Sequence, residues 1–325
     1  MKALVYTGIK TLEMREVPDP IPGEDEVLVR VEAAGICGSD MHAWLGHDER
    51  RPAPLILGHE VAGTIASGPR RGQRVTVNPL ATCGTCPACR EGRDNLCPDR
   101  QIISMPPREG GFAELIRSPE RNLVALPDDV PAAVACLAEP LACSWHALKL
   151  AHRTLFRPPR RVLILGGGAI GFGAALAARA MGSQDIAIVE PNPARRQHLA
   201  QIEGFPVLER APDDQPPDLV IDAAGFAATR QVASDLVRPG GLILHIGLGQ
   251  ATDGLNIRRM TLQEITFIGT YTYTRQDFRD CAEAIFDGRL GRCDWSQGRA
   301  LADGAAAFAD IRENLVAAPK VILLP

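Results

Sequence analysis

Four cysteines crowd together at Cys83, Cys86, Cys89 and Cys97, spaced Cys-x2-Cys-x2-Cys-x7-Cys. Thiolates this close can surround one zinc ion tetrahedrally and leave no position for water, so the site they imply is structural. Gly84, Pro87 and Gly92 suit a loop that wraps an ion. Unrelated thiols in a flexible loop are the competing reading, and they leave the spacing unexplained. Cys37, Cys136, Cys143, Cys281 and Cys293 are scattered. For most of these, burial as a small apolar side chain is sufficient reason.

A second set is looser in sequence and richer in chemistry. Cys37-Gly38-Ser39-Asp40-Met41-His42 follows an apolar strand, and Gly58-His59-Glu60 lies further along. Thiolate, imidazole and carboxylate all suit zinc, and three protein ligands leave a fourth position open for water or substrate. Taken singly, each piece reads as readily as core or surface. A separate four-cysteine lobe and a nucleotide motif downstream strengthen the set.

That motif is Gly166-x-Gly168-x-x-Gly171, directly after the apolar strand RVLIL and opening a helix from Ala169 to Met181. The glycines permit a tight turn and close backbone approach to a pyrophosphate. The helix start, with Ala169 and Ile170 in its first turn, favours the phosphate charge. The next strand, DIAIVE, ends in Glu190, where an acid can hold the adenosine ribose hydroxyls. This favours NAD over NADP. Arg195, just past the strand, is the residue type that can instead receive a 2′-phosphate.

The elements that must position these residues divide into two kinds. Up to about residue 130 the chain is rich in Gly and Pro with short alternating apolar runs. Val27–Cys37, Val61–Ile65 and Arg74–Val77 read as strands of an irregular β domain without long helical periodicity. After Pro140 the pattern changes. LACSWHALKLA has helical spacing, and the strands RVLIL, DIAIVE, DLVIDAAG, GLILHIGLG and EITFIG alternate with helical stretches such as AATRQVASDLV. Alternation of this kind argues for a doubly wound parallel sheet. The stretch 204–217 is short and proline-rich and reads as a loop. From Tyr271 on, a helix at Gln276–Phe286, another at Ala305–Asn314 and a last strand, KVILL, do not extend the nucleotide sheet and are expected to fold back onto the first domain. The expected division is a discontinuous zinc-binding domain, 1–139 with 271–325, around a cofactor domain at 140–270.

The 325 residues are 46% hydrophobic and 23% charged with a formal net charge of −4. That composition suits a soluble globular protein and gives no electrostatic footprint for nucleic acid or anionic membrane. The start, MKALVYTGIK, has no apolar core of signal-peptide length, and no run is long enough to span a bilayer. A cytoplasmic location is the expectation.

Together these residues resemble the medium-chain zinc-dependent alcohol dehydrogenases over essentially the whole chain, with the polyol and sorbitol dehydrogenases as the nearest branch and threonine dehydrogenases close by. The resemblance implies an α/β architecture: an irregular β, GroES-like catalytic domain beside a Rossmann domain. It implies two zinc ions per chain, one structural on the four-cysteine lobe and one catalytic on Cys37, His59 and Glu60. Glu139, in LAEPLA, matches a family glutamate in or beside the catalytic coordination shell. Ser39 and His42 match a proton relay. The reaction implied is NAD-dependent oxidation of a secondary hydroxyl of a polyol or related small alcohol, by a homo-oligomer, dimer or tetramer. The triplet Gly58-His59-Glu60 and the Glu139-Pro140 pair favour this branch over classical alcohol dehydrogenases, which carry a cysteine at the later position.

The sequence departs from that branch in places. The connection from GHEVAGTIASGP to GQRVTVNP is shorter than the family norm, and the loop after the second cofactor helix is trimmed. Ala43 stands where sorbitol dehydrogenases tend to carry tyrosine, and Thr272-Tyr273 stands where they carry an Arg-Tyr pocket pair. These two differences leave zinc chemistry intact and bear on which alcohol is taken. A threonine-type or simple-alcohol dehydrogenase is the alternative within the family. A non-catalytic nicotinamide sensor is the alternative outside it, and it predicts a lost ligand where Cys37, Ser39, His59 and Glu60 all stand.

Overall fold

A computed structural model describes residues 1–325 apart from positions 213 and 214. Strand Glu26–Gly35 organises the N-terminal part. Its alternation puts Val27, Val29 and Val31 into the core while Arg30 faces solvent. Around it lies a mixed sheet in the order Leu123–Ala125, Arg74–Val77, Glu60–Ile65, Glu26–Gly35, Lys320–Leu324, Ser296–Ala300, with Leu115–Pro119 also pairing to Glu26–Gly35. The last strand therefore returns to the first part of the chain, Ile322 opposite Gly35 and Leu323 opposite Ala34. Strands Lys2–Gly8, Thr11–Glu16 and Leu55–Ile56 form a smaller antiparallel sheet beside it.

The second layer system is a six-stranded parallel sheet in the order Val207–Leu208, Asp185–Val189, Arg161–Leu165, Leu219–Asp222, Leu242–His245, Thr266–Gly269. Its central strands are buried almost without interruption, as a parallel sheet covered on both faces requires. Helices Ala138–Leu155 and Ala169–Ala180 share one core with the sheet. Phe172 in that core meets Trp295 edge-on at 5.5 Å, so the C-terminal tail packs there too. Helix Arg275–Phe286 packs on Ala138–Leu155, fastened by His146 Nδ1 to Asp277 Oδ2 at 2.6 Å.

The α/β, two-part architecture is as the sequence implies, with local differences. The strand expected to run through Cys37 stops at Gly35, because Cys37 instead begins a helix, Gly38–Trp44. Seven residues are too few to show helical periodicity in sequence. The crossover expected as a loop at 204–217 carries a two-residue strand, Val207–Leu208, which pairs with Ile188 and Val189 at the sheet edge. The seam expected at 139/140 falls in the first turn of helix Ala138–Leu155.

Candidate active site

The end of strand Glu26–Gly35 and the start of strand Glu60–Ile65 lie side by side, Gly35 opposite Glu60. This pairing brings together Cys37, His59 and Glu60, whose ligand atoms all lie within 4.8 Å of one another. The turn before them needs Gly58, which has φ +92° and would drive a Cβ into the Phe112 ring at 2.5 Å.

Asp40 holds the set from behind. It is fully buried; Oδ2 accepts the Cys37 N–H at 2.9 Å and Oδ1 accepts the Gly58 N–H at 3.2 Å. Oδ1 also lies 3.5 Å from His59 Nδ1, which the Ser104 hydroxyl meets at 3.3 Å. With Nδ1 so committed, Nε2 is the imidazole nitrogen left to ligate a metal. Burial opposes charge on His59, yet the Asp40 carboxylate outweighs it and raises the imidazole pKa well above its usual value.

Glu60 is fully buried and split between two roles. Oε1 meets Lys320 Nζ at 2.5 Å, while Oε2 has no partner. Lys320 also donates to the Ile36 carbonyl at 2.9 Å. A Cβ at residue 35 would meet Oε2 at 1.9 Å, so Gly35 makes room for that oxygen. A buried carboxylate that keeps one oxygen unpartnered, clustered with a thiol and an imidazole, has the donor chemistry of a zinc ligand set. The residues fit the metal.

Glu139 lies outside this close set but shares its buried surroundings. It occupies the first turn of helix Ala138–Leu155, and its Oε1 accepts the hydroxyl of fully buried Tyr273 at 2.6 Å. Burial pushes its carboxyl above the usual range; His59 and the Tyr273 bond oppose this, and the charge of Glu60 adds to it. Ser39 and His42 stand three residues apart on helix Gly38–Trp44, Ser39 half-buried and His42 exposed. Among the described residues no direct hydrogen bond joins their side chains. Arg51, buried, braces that helix by donating to the Ser39 carbonyl at 3.1 Å and the Ser104 carbonyl at 3.0 Å.

In the four-cysteine lobe the ligand sulfurs of Cys83, Cys86, Cys89 and Cys97 also lie within 4.8 Å of one another. The backbone N–H groups of Thr85 and Cys86 point at the Cys83 sulfur, at 3.5 and 3.3 Å, and lower its pKa to about 6. Cys89 is pushed up to about 12, chiefly by desolvation and then by the neighbouring thiols. Four sulfurs this close cannot all ionise unless a cation sits among them, which is the requirement a zinc meets.

The glycine turn opens helix Ala169–Ala180 at the carboxyl end of strand Arg161–Leu165. A Cβ at Gly171 would lie 1.8 Å from the Gly166 carbonyl oxygen, and one at Gly167 would strike Leu199 at 2.6 Å. Those two glycines serve the turn's own packing. Gly168 differs: a Cβ there meets nothing within 4 Å, so this glycine leaves open space above the N–H groups of Ala169 and Ile170. A dinucleotide phosphate fits that cradle. Ser144 fixes the helix start by donating to the Ile170 carbonyl at 2.8 Å. Glu190, buried at the end of strand Asp185–Val189, accepts the N–H of Gly167 at 3.0 Å and of Asn192 at 2.8 Å, with Arg195 Nη1 at 3.7 Å. On the neighbouring strand Leu219–Asp222, Asp222 accepts the N–H groups of Ala224 and Gly225, and Gly225 packs so tightly on Gly247 that a Cβ would meet the Gly247 oxygen at 2.1 Å.

Sequence reading missed Asp40, Lys320, Ser104 and Arg51 as supports of the site. Asp40 carried a signal: it sits three residues past Cys37, where a capping carboxylate belongs. Lys320 carried one too, as a lone cation heading an apolar strand. Ser104 and Arg51 lie in irregular segments and had none.

Comparison with known proteins places the chain in company. Residues 23–128 match the alcohol dehydrogenase GroES-like domain, and residues 169–287 match the zinc-binding dehydrogenase family. The chain is 32% identical over 307 residues to L-galactonate-5-dehydrogenase of Escherichia coli (strain K12), covering 89% of this chain and 88% of that protein. It is 34% identical over 294 residues to sorbitol dehydrogenase of Bacillus subtilis (strain 168), covering 84% and 82%. Among solved structures, an Escherichia coli oxidoreductase/dehydrogenase of unknown specificity superposes with a TM-score of 0.90 at 29% identity, over 99% of this chain and 98% of that one.

Proposed function

Because this chain belongs to the medium-chain zinc-dependent alcohol dehydrogenase family, in its polyol branch, we propose that it oxidises a secondary hydroxyl of a polyol or related small alcohol to the ketone, reversibly, with NAD as hydride acceptor. The observation that carries the reading is the convergence of Cys37, His59 and Glu60, with one buried Glu60 oxygen unpartnered, at the junction of two strands.

Cys37, His59 and Glu60 would hold the catalytic zinc, with Glu139 in or beside its shell. A zinc there supplies Lewis acidity toward an alcohol hydroxyl, which lowers the cost of removing its proton near neutral pH. The rest is the work of this chain's residues. Asp40 fixes the orientation of the His59 ring. Ser39 takes up the hydroxyl proton as it gives up its own, and His42, exposed on the same helix, hands a proton to solvent. The turn at Gly166, Gly168 and Gly171, the N–H groups of Ala169 and Ile170, and Glu190 with Arg195 bind the dinucleotide. The tightly packed backbone at Gly225 and Gly247 flanks that glycine turn.

The zinc-binding domain comprises 1–139 with 271–325 and encloses the cofactor domain at 140–270; the pairing of Ile322 with Gly35 supports that division. Nine unpaired cysteines suit a reducing compartment, and with it a cytoplasmic location. Among the described residues no helix is long and apolar enough to cross a membrane. A homo-oligomer, dimer or tetramer, is supported by the edge strand Thr266–Gly269 and the exposed Leu248, Ile257 and Leu262 near it in sequence.

The test is turnover with NAD across a panel of polyols, sugars, sugar acids and simple alcohols. A secondary-alcohol polyol should lead the panel. Turnover confined to primary alcohols, or to none of the panel, would overturn the assignment.

A further inference from the structure

The four-cysteine lobe reaches beyond itself. Four residues, Thr82, Asp94, Asn95 and Arg100, grip the short segment 271–275. Asn95, buried, donates from Nδ2 to the Tyr271 carbonyl at 2.8 Å. The Arg100 guanidinium lies 4.9 Å over the Tyr271 ring, and its Nε donates to the Tyr271 hydroxyl at 3.3 Å. The Asp94 carboxylate accepts the Arg275 N–H at 3.1 and 3.2 Å, and the Arg275 side chain donates to Thr82 Oγ1 at 3.2 Å. Between the two gripped residues stands Thr272, a β-branched residue at φ +46° whose buried hydroxyl has no partner. Beside it is Tyr273, fully buried, bonded to Glu139.

A strained, unsatisfied residue persists only where its surroundings over-determine it. Here the lobe supplies that determination from both sides of Thr272. We propose that Asp94, Asn95 and Arg100 are positioning residues that hold Tyr273 against Glu139, so that the structural zinc lobe sets the geometry of the catalytic centre. This rests on the reading that places Glu139 at that centre. The segment leaves the cofactor sheet, where the Thr270 N–H bonds the His245 carbonyl at 3.0 Å, and enters helix Arg275–Phe286, which Thr274 caps. Without the grip, the strain at Thr272 relaxes and Tyr273 withdraws from the carboxyl.

The experiment compares Asn95→Ala, Tyr273→Phe and the double variant, with sorbitol and 2,3-butanediol as probe alcohols. Asn95→Ala should keep two zinc ions per chain and an unchanged KM for NAD, and lose about tenfold in kcat. The double variant should be no slower than Tyr273→Phe alone, since coupled residues are non-additive. In the zinc-loaded, cofactor-free enzyme, amide exchange across 271–275 should quicken in Asn95→Ala, a change independent of turnover. If Asn95→Ala loses zinc, Arg100→Met serves instead, because it removes only the ring contact and the bonds to the Tyr271 hydroxyl and the Cys97 carbonyl. Losses that multiply, or an unchanged kcat in Asn95→Ala where Tyr273→Phe is slow, overturn the proposal alone. An unchanged kcat in Tyr273→Phe shows that the bond to Glu139 does not bear on turnover and overturns the proposal, whereas Glu139→Ala at wild-type kcat would remove Glu139 from the centre.

Discussion

Lys320, near the carboxyl terminus, meets Glu60 at 2.5 Å in full burial, 260 residues away along the chain. The ammonium holds one carboxylate oxygen and leaves the other without a hydrogen-bond partner. Breaking a buried ion pair from one side leaves an uncompensated charge, at a cost of about 3–5 kcal/mol. In Lys320→Met that cost falls on the metal-free protein, because zinc itself neutralises Glu60. The rise in Tm on loading zinc should therefore be larger in Lys320→Met than in wild type. Equal rises would show that Lys320 does not share Glu60 with the metal.

Asp40→Asn keeps the shape but loses the charge that faces His59 Nδ1. Groups that orient a metal ligand are typically worth about 10–100-fold in metal affinity or activity. The variant should lose that much in kcat/KM while its secondary structure, read by circular dichroism, stays unchanged. A loss below twofold would mean that Ser104 alone orients the ring.

Two ligand sets imply two zinc ions with separable roles. Cys37→Ala should lose one zinc and its activity but keep its fold, since the four-cysteine lobe lies elsewhere in the chain. Cys89→Ser should instead lower the unfolding midpoint, because a structural site contributes directly to folding. Metal analysis that finds a single zinc in wild type would refute the assignment.

Much of this site is legible in the sequence, for a physical reason. Zinc ligands and phosphate turns demand particular side chains at fixed local spacing, so Cys83 to Cys97 and Gly166 to Gly171 declare themselves in a single stretch of chain. Alternating β and α segments likewise announced the parallel sheet. What escaped was tertiary. Lys320 reaches Glu60 only because the last strand returns to pair with Glu26–Gly35, and no local pattern encodes that partner. Arg51 and Ser104 sit in irregular segments whose course depends on packing. Helix Gly38–Trp44 is too short for periodicity to reveal, so Cys37 read as the end of a strand rather than the start of a helix.

Vicinal diols or polyols with a secondary hydroxyl should exceed ethanol by at least roughly tenfold in kcat/KM. A second hydroxyl near the metal can donate a hydrogen bond to the Glu139 carboxylate, and a tenfold preference asks for only about 1.4 kcal/mol of differential transition-state binding. Equal or better turnover of ethanol would refute the polyol assignment and leave the fold untouched.

Cofactor choice turns on Glu190 and Arg195. The Glu190 carboxylate is buried, and the N–H groups of Gly167 and Asn192 fix both of its oxygens as acceptors. It can still accept hydrogen bonds from the two adenosine ribose hydroxyls, each oxygen having a second lone pair. A 2′-phosphate would meet that fixed negative charge at close range. Arg195 argues the other way, for its Nε is buried without a partner and could serve a phosphate. Its Nη1, however, lies 3.7 Å from Glu190, so part of its charge is already answered. The Pro191-Asn192-Pro193 link adds no hydroxyl to help bind phosphate. An unmatched buried charge is worth a few kcal/mol, which corresponds to a preference for NAD of at least roughly a hundredfold. Glu190→Ser should narrow the gap by removing the repulsion and releasing Arg195. Kinetics with both cofactors decide the matter: comparable kcat/KM in wild type would make Arg195 the selector, and an unchanged ratio in Glu190→Ser would show that the acid serves the glycine turn alone.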